Sequence, residues 1–387
     1  MMADKSIINA VSKLHDLIND KDGMKFSYTV KEDIEYLNSF PEPQDDIERS
    51  YFQYVCQRRN QTSKLINIAY DLISLFAIIP LTIVLLIFGC LDIFKTYEKY
   101  DAVFVKDFEK MKIAPTSLLK SIDNYVVHSM TTIGNMSLSV NDLVYIIKIY
   151  FRYPFAYYFL LKAIVRIASY SCGIRRYAPK MVCNTYEYSS VSSILTDYCN
   201  NHNVSHVNIM HGEKLFFLRE AFSHFDLFYV WDEHYLDLFN SLRANKTKYI
   251  VERPKQLELL CNVDVKNIVY YLQLHTEEQL RTIRKSLIDI GIPFKVRPHP
   301  SHFNDSILSV FEASEIEDCY SVSIIESLSS AKAVISIDST VLLQAYWYGL
   351  PIIIDDISNA KLYEELKERK YIMINKPHDL LSELIKR

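Results

Sequence analysis

Glycine is scarce in this chain, with seven among 387 residues, where an average protein has about 7%. No G-x-G-x-x-G and no G-x-x-x-x-G-K-[ST] occurs, which excludes a dinucleotide fingerprint and a Walker phosphate loop. Collagen-like and linker-like compositions are excluded on the same ground. Seven cysteines without a C-x-x-C pair give no support to a disulfide framework or a Cys-based zinc site, and fit a reducing compartment. No H-E-x-x-H or paired-carboxylate spacing stands out, so a metal-dependent hydrolase ranks low; no cofactor is expected, and no metal is needed where His, Arg and helix N-termini can neutralise a phosphate. Positive charge is not in excess: Lys+Arg 43 stand against Asp+Glu 47, a net charge of -4. No nucleic-acid partner is expected from such a balance. The opening MMADKSIINAVSKLHDLIND mixes charges and lacks the apolar core of a secretory signal.

What is present is core material. Hydrophobic residues make up 49%, with Tyr 28 and Phe 20, and the length suits two domains or slightly more. From Leu72 to Leu91 the chain reads LISLFAIIPLTIVLLIFGCL, without a charge between Asp71 and Asp92. Such a run meets the length of a membrane-crossing helix. Pro80 near its middle predicts a kink or a re-entrant hairpin. Between Asp142 and Glu187 no acidic residue occurs, while Lys148, Arg152, Lys162, Arg166, Arg175, Arg176 and Lys180 alternate with tyrosines and phenylalanines. Basic and aromatic residues on apolar helices point to an anionic membrane surface.

Beyond residue 100 the pattern becomes α/β. Short apolar runs at 100–107, 180–187, 207–210, 227–233, 267–273, 294–300, 332–340 and 351–356 read as buried strands. Amphipathic stretches separate them, among them LFFLREAFSHF after residue 214 and a closing helical stretch to the end of the sequence. Residues 250–265 read as a crossover. The expected domains are a helical membrane-associating region (1–99), a Rossmann-like domain (100–255) and a second Rossmann-like domain (256–387), the latter two doubly wound and facing a cleft.

Three motifs fall at the carboxyl ends of predicted strands. In His211-Gly212-Glu213, Gly212 permits a tight turn, and His211 or Glu213 could take a proton from an acceptor hydroxyl. Arg297-Pro298-His299-Pro300 fixes an imidazole between two prolines beside a permanent cation, which suits a departing phosphate. Asp338-Ser339-Thr340 opens a helix, where hydroxyls and free N–H groups can cap the helix, hold phosphate, or both.

The order HG, then R-P-H-P, then D-S-T, then Ala345-x-x-x-Gly349-x-Pro351 resembles bacterial GT-B glycosyltransferases of surface-polysaccharide synthesis. It is similar to the sialyltransferases and polysialyltransferases, and to the CDP-glycerol glycerophosphotransferases of teichoic-acid synthesis. The resemblance implies a nucleotide-sugar donor, most simply CMP-linked, bound by Arg297, His299, Pro300, Asp338, Ser339 and Thr340. It implies a glycan or lipid-linked acceptor, and a place on the cytoplasmic face of the bacterial inner membrane. The acidic base motif of the sialyltransferases is absent, leaving His211, Glu213 or Glu187 as its counterpart. A CDP-alditol phosphotransferase and a non-catalytic assembly protein are the alternatives.

Overall fold

In a computed structural model of the chain, the described residues are 26–61, 64–92, 97–106, 113–129, 133–254 and 267–386. The mixed-charge N-terminus, Cys261, most of the 250–265 crossover and the 255/256 domain edge lie outside them. The chain divides into two compact units, Met1–His211 with Phe217–Pro254, and Gly212–Phe216 with Lys255–Arg387. The N-terminal helices therefore belong to the first α/β unit, and the dividing point passes through the HG motif.

The first unit is built on a parallel sheet of β1 (Ala102–Phe104), β2 (Tyr125–Val127), β3 (Met181–Asn184), β4 (Ser205–Ile209), β5 (Leu227–Val230) and β6 (Lys248–Val251), in the order β2-β1-β3-β4-β5-β6. Val103 pairs with Val126 on one side and Val182 on the other. The central strands carry Val, Ile, Phe and Cys side chains buried on both faces, the signature of a covered parallel sheet. Strands β2 and β6 escape the sequence pattern because they are short, only partly buried edge strands. The stretch LFFLREAFSHF is irregular apart from one turn at Leu218–Glu220. Its leucines and phenylalanines are buried, so helix-like spacing there reflects burial on all sides.

Helices α1 (Asp46–Gln61), α2 (Lys64–Asp92), α3 (Val140–Arg152), α4 (Tyr157–Tyr177) and α5 (Ser192–Asn200) complete the unit. The apolar run forms one helix through Pro80, so no re-entrant hairpin is present. Helix α2 is fastened along its length. Asp71 accepts the Tyr158 N–H at 2.9 Å, Leu138 N–H donates to the Leu85 carbonyl at 3.0 Å, and Asp92 pairs with Arg176 at 2.8 Å. Its outer face is bare: only 17% of its most apolar stretch is buried.

The basic stripe expected to meet an anionic surface is divided: Lys148, Arg175 and Lys180 are exposed, while other members are engaged inside the unit. Lys162 and Arg166 are buried, each over a tyrosine ring, at Tyr158 and Tyr186. Arg152 pairs with Asp45, Arg175 bonds Ser137, and Arg176 pairs with Asp92. Four-residue spacing places such residues on one helix face without telling whether that face is wet.

The second unit carries β7 (Asn267–Leu272), β8 (Phe294–Pro298), β9 (Ala331–Ser336), β10 (Ile352–Ile354) and β11 (Asp379–Leu380), ordered β11-β10-β9-β7-β8 and parallel throughout. The last strand interrupts what the sequence suggests is a helical stretch. Helix α6 (Glu277–Ile290) starts on a Thr276 capping box and ends at Gly291, whose φ of 72° needs glycine. Helices α7 (Thr340–Trp347) and α8 (Ala360–Glu368) follow β9 and β10. In chain order both sheets follow the doubly wound pattern 2-1-3-4-5. Ligands of such sheets sit at the carboxyl ends, where the order reverses between the first and third strands.

Candidate functional site

In the first unit that reversal lies between β1 and β3. Lys106 follows β1, and Tyr186, Glu187 and Tyr188 follow β3. Lys106 and Arg166 lie over the two-sided Tyr186 ring at 4.9 and 4.8 Å. Glu187 is fully buried. Its Oε2 accepts from Asn208 Nδ2 at 3.0 Å, and its backbone carbonyl accepts from Gln53 at 2.9 Å.

The neighbouring strand β4 ends two residues before His211. His211 Nδ1 lies 3.6 Å from Glu187 Oε1, with the His211 side chain 26% exposed and the carboxylate fully enclosed. The separation is that of an ion pair and is longer than a hydrogen bond, and it sets an enclosed carboxylate beside the imidazole. Of the three residues the sequence offers as bases, the structure brings Glu187 and His211 together.

Gly212 does not have a left-handed φ, and a Cβ built on it meets nothing within 4 Å. The chain bends at Gly212 without needing a left-handed backbone there. Glu213 belongs to the second unit, where its N–H donates to Thr340 Oγ1 at 3.4 Å. The following Phe216 exchanges hydrogen bonds with Arg369, at 2.7 Å from its N–H and 3.0 Å to its carbonyl. Glu213 thus joins Asp338-Ser339-Thr340 and is separated from the unit that holds His211.

In the second unit the reversal lies between β7 and β9, with β8 beside β7. His299 caps the end of β8: its N–H bonds the Leu272 carbonyl at 3.2 Å, and its Nδ1 accepts from the Ser301 N–H at 3.2 Å. With Nδ1 occupied as acceptor, the proton of the neutral ring sits on Nε2. Partial burial, then the nearby His302, hold His299 below the usual histidine range. At neutral pH the exposed ring is therefore neutral, with Nε2 as its donor. Pro300 contributes its carbonyl to the Tyr320 hydroxyl at 3.0 Å.

Two expected donor ligands are otherwise engaged. Arg297 is buried, pairs with Glu317 at 2.6 Å and donates to the Val322 carbonyl at 2.7 Å. It ties β8 to the 317–322 loop and has no free charge to offer a phosphate. Ser339 is buried as the N-cap of α7, accepting from the Val341 N–H at 3.3 Å. Thr340, less buried, accepts from Glu213. Asp338 follows β9; burial raises its carboxyl pKa, and His275 draws it the other way.

His275, three residues beyond β7, is absent from the motif reading. Burial lowers its pKa while Asp338 opposes that shift, and its Nδ1 faces the Gln273 carbonyl at 3.0 Å. A titratable residue just past the first strand of a doubly wound half is the signal that points to it. Among the described residues no group of three or more His, Cys, Asp or Glu is arranged to hold a metal ion.

No protein-family model matches the chain, and no curated protein matches it. Among solved structures it is similar to a sucrose-phosphate synthase from Thermosynechococcus elongatus, at 11% identity and a TM-score of 0.36, over 52% of this chain and 62% of that one. It thus spans less than two thirds of the synthase. The calicheamicin glycosyltransferase matches at 8% identity and a TM-score of 0.39, over 73% of this chain and 85% of its own. An E. coli heptosyltransferase solved with ADP-2-deoxy-2-fluoro heptose matches at 12% identity and a TM-score of 0.30, over 66% of this chain and 87% of its own. The two doubly wound α/β sheets agree with the GT-B-like fold class expected from the sequence.

Proposed function

We propose that this chain is a metal-independent glycosyltransferase that moves a sugar from a nucleotide-activated donor, most simply CMP-linked, to a bacterial surface glycan. The observation that carries the reading is the set of groups following three adjacent strands of the second sheet: His275 after β7, His299 after β8 and Asp338-Ser339-Thr340 after β9. Nucleotide phosphates suit this end of a doubly wound sheet. His299 Nε2–H and the N-terminus of α7 supply neutralisation as the leaving phosphate gains charge. His211, oriented by Glu187, removes the proton from the acceptor hydroxyl. The bare face of α2 keeps the enzyme on the cytoplasmic side of the inner membrane.

The test is transfer or hydrolysis with a panel of CMP-, CDP- and UDP-activated donors, with flotation on phosphatidylethanolamine–phosphatidylglycerol vesicles. Activity with one donor class, reduced about a hundredfold or more in His299→Ala, supports the reading. Full activity in that variant removes His299 from the site. The His211–Glu187 pair also favours a CDP-alditol phosphotransferase, because the HG histidine is the catalytic residue of the glycerophosphotransferases this chain resembles. A phosphodiester product would decide for that alternative. No measurable affinity for CMP, CDP or UDP would favour a non-catalytic assembly protein.

A further inference from the structure

We propose that the apolar groove of the first unit binds one hydrocarbon chain of a membrane lipid. This rests on the membrane association proposed above. The groove encloses about 390 Å³ and is walled by Leu75, Ile79 and Ile83 of α2, Leu143 and Ile146 of α3 and Leu160 of α4.

Its lining selects the occupant. Thr82 is one of its few polar residues, and the Thr82 hydroxyl already donates to the Ile78 carbonyl at 2.7 Å. A peptide segment entering there would leave its own N–H and C=O groups without partners, which is costly away from water. A hydrocarbon chain brings no such groups and replaces poorly solvated apolar surface with contact.

The groove is also continuous with the bare face of α2. Ile79 and Ile83 are 67% and 52% exposed, and Phe76 beside them is 76% exposed. Contiguous exposed apolar surface of this kind marks a protein or membrane contact. Its lack of charge from residue 72 to 91 is a property of hydrocarbon rather than of protein partners, whose interfaces keep polar rims.

Fastening of α2 at Asp71 and Asp92 holds the groove preformed along the surface of the folded unit. Helix α4, packed beneath it, buries Lys162 and Arg166, so the unit cannot follow α2 across a bilayer. Helix α2 lies in the plane of one leaflet, and a lipid of that same leaflet can place a chain in the groove.

Photolabelling of the full chain by hexadecanoic acid bearing a mid-chain diazirine tests this, with peptide mapping and competition by unlabelled hexadecanoic acid. Label confined to peptides holding residues 75–83, 143–150 and 157–164 is expected. It should fall about tenfold in Leu143→Trp, which fills the groove, while vesicle flotation is unchanged. Competition on the unsubstituted chain keeps the test valid if that variant does not fold. Label spread over the whole outer face of α2 and indifferent to competition overturns the site and leaves membrane association standing. Saturable groove labelling without flotation supports the site and sinks the membrane reading. A concentration-dependent dimer that blocks labelling overturns the proposal in favour of a second copy as occupant.

Discussion

Glu187 Oε1 faces His211 Nδ1 across 3.6 Å, with the carboxylate fully enclosed and anchored by Asn208. The pair joins the carboxyl end of β3 to that of β4, so one rigid sheet sets its geometry. His211→Ala should lower kcat by about 10²–10⁴-fold, the usual contribution of a general base, with little change in thermal stability. Glu187→Gln keeps the shape and removes the counter-charge of the imidazolium. Its acid limb of kcat against pH should therefore move to lower pH. An unmoved limb would show that Glu187 has no electrostatic part in the reaction.

His299 presents Nε2–H because Ser301 occupies Nδ1. His299→Ala should raise the donor KM and lower kcat together, reducing kcat/KM by about 10²-fold. Being neutral, the ring should bind donor equally across the range from the ordinary histidine value of 6.5 upward. Isothermal titration with the donor nucleotide at several pH values measures this. Affinity that falls as pH rises past neutrality would mean a charged imidazolium and would contradict the assigned tautomer.

Arg297 and Glu317 form a buried ion pair. Arg297→Met leaves the carboxylate buried without its partner, a change that costs about 3–5 kcal/mol. Urea unfolding should report the loss, and donor affinity should fall only as far as the displaced 317–322 loop disturbs His299. A variant as stable as the parent but unable to bind donor would return Arg297 to direct phosphate contact.

His206 is fully buried, accepting from Asn184 Nδ2 at 2.6 Å and facing the Thr196 hydroxyl at 2.7 Å. Burial, then His224, hold its pKa down to about 3. Below 6.5 the unfolded chain takes up a proton that the folded chain refuses. Stability is therefore complete above 6.5 and is lost as pH falls toward 3, by about 1.4 kcal/mol per pH unit from this group. Chemical denaturation at pH 7, 6 and 5 should show it. His206→Gln should flatten the dependence, and an unchanged slope in that variant would assign it to other groups.

Much of this was legible because parallel strands buried on both faces appear as apolar runs, and β3, β4, β5, β7, β8, β9 and β10 each lie on such a run. Edge strands β2, β6 and β11 are short or half-buried, so no run marks them. His211 and His299 lie just past the ends of β4 and β8, where the motif order puts them. The partner of His211 was ambiguous, since a sequence does not order Glu187 and Glu213 by distance. Arg297 misled for a physical reason: a permanent cation beside a histidine looks like a phosphate ligand until Glu317, twenty residues on, is seen to neutralise it. Among the cations of α3 and α4, Lys162 and Arg166 are buried over tyrosine rings while Lys148 and Arg175 are exposed, a difference that helical spacing cannot show.

Gly89 and Gly212 respond differently to an added methyl group. A Cβ on Gly89 would collide with the Leu138 carbonyl oxygen and lie 2.9 Å from its carbon. Both are backbone atoms, fixed by the Leu138 N–H bond to Leu85, so α2 must lift from the loop it touches. Gly89→Ala should cost about 1–3 kcal/mol and loosen the apolar groove, seen as weaker saturable lipid-chain labelling. Gly212 has open space where its Cβ would go and needs no left-handed backbone. Gly212→Ala should therefore leave stability within about 0.5 kcal/mol. If substrate approaches the backbone beside His211, the same methyl group will lower kcat/KM without that stability loss. Unchanged kinetics in Gly212→Ala would place the reacting groups away from the HG backbone, leaving His211 to act through its side chain alone.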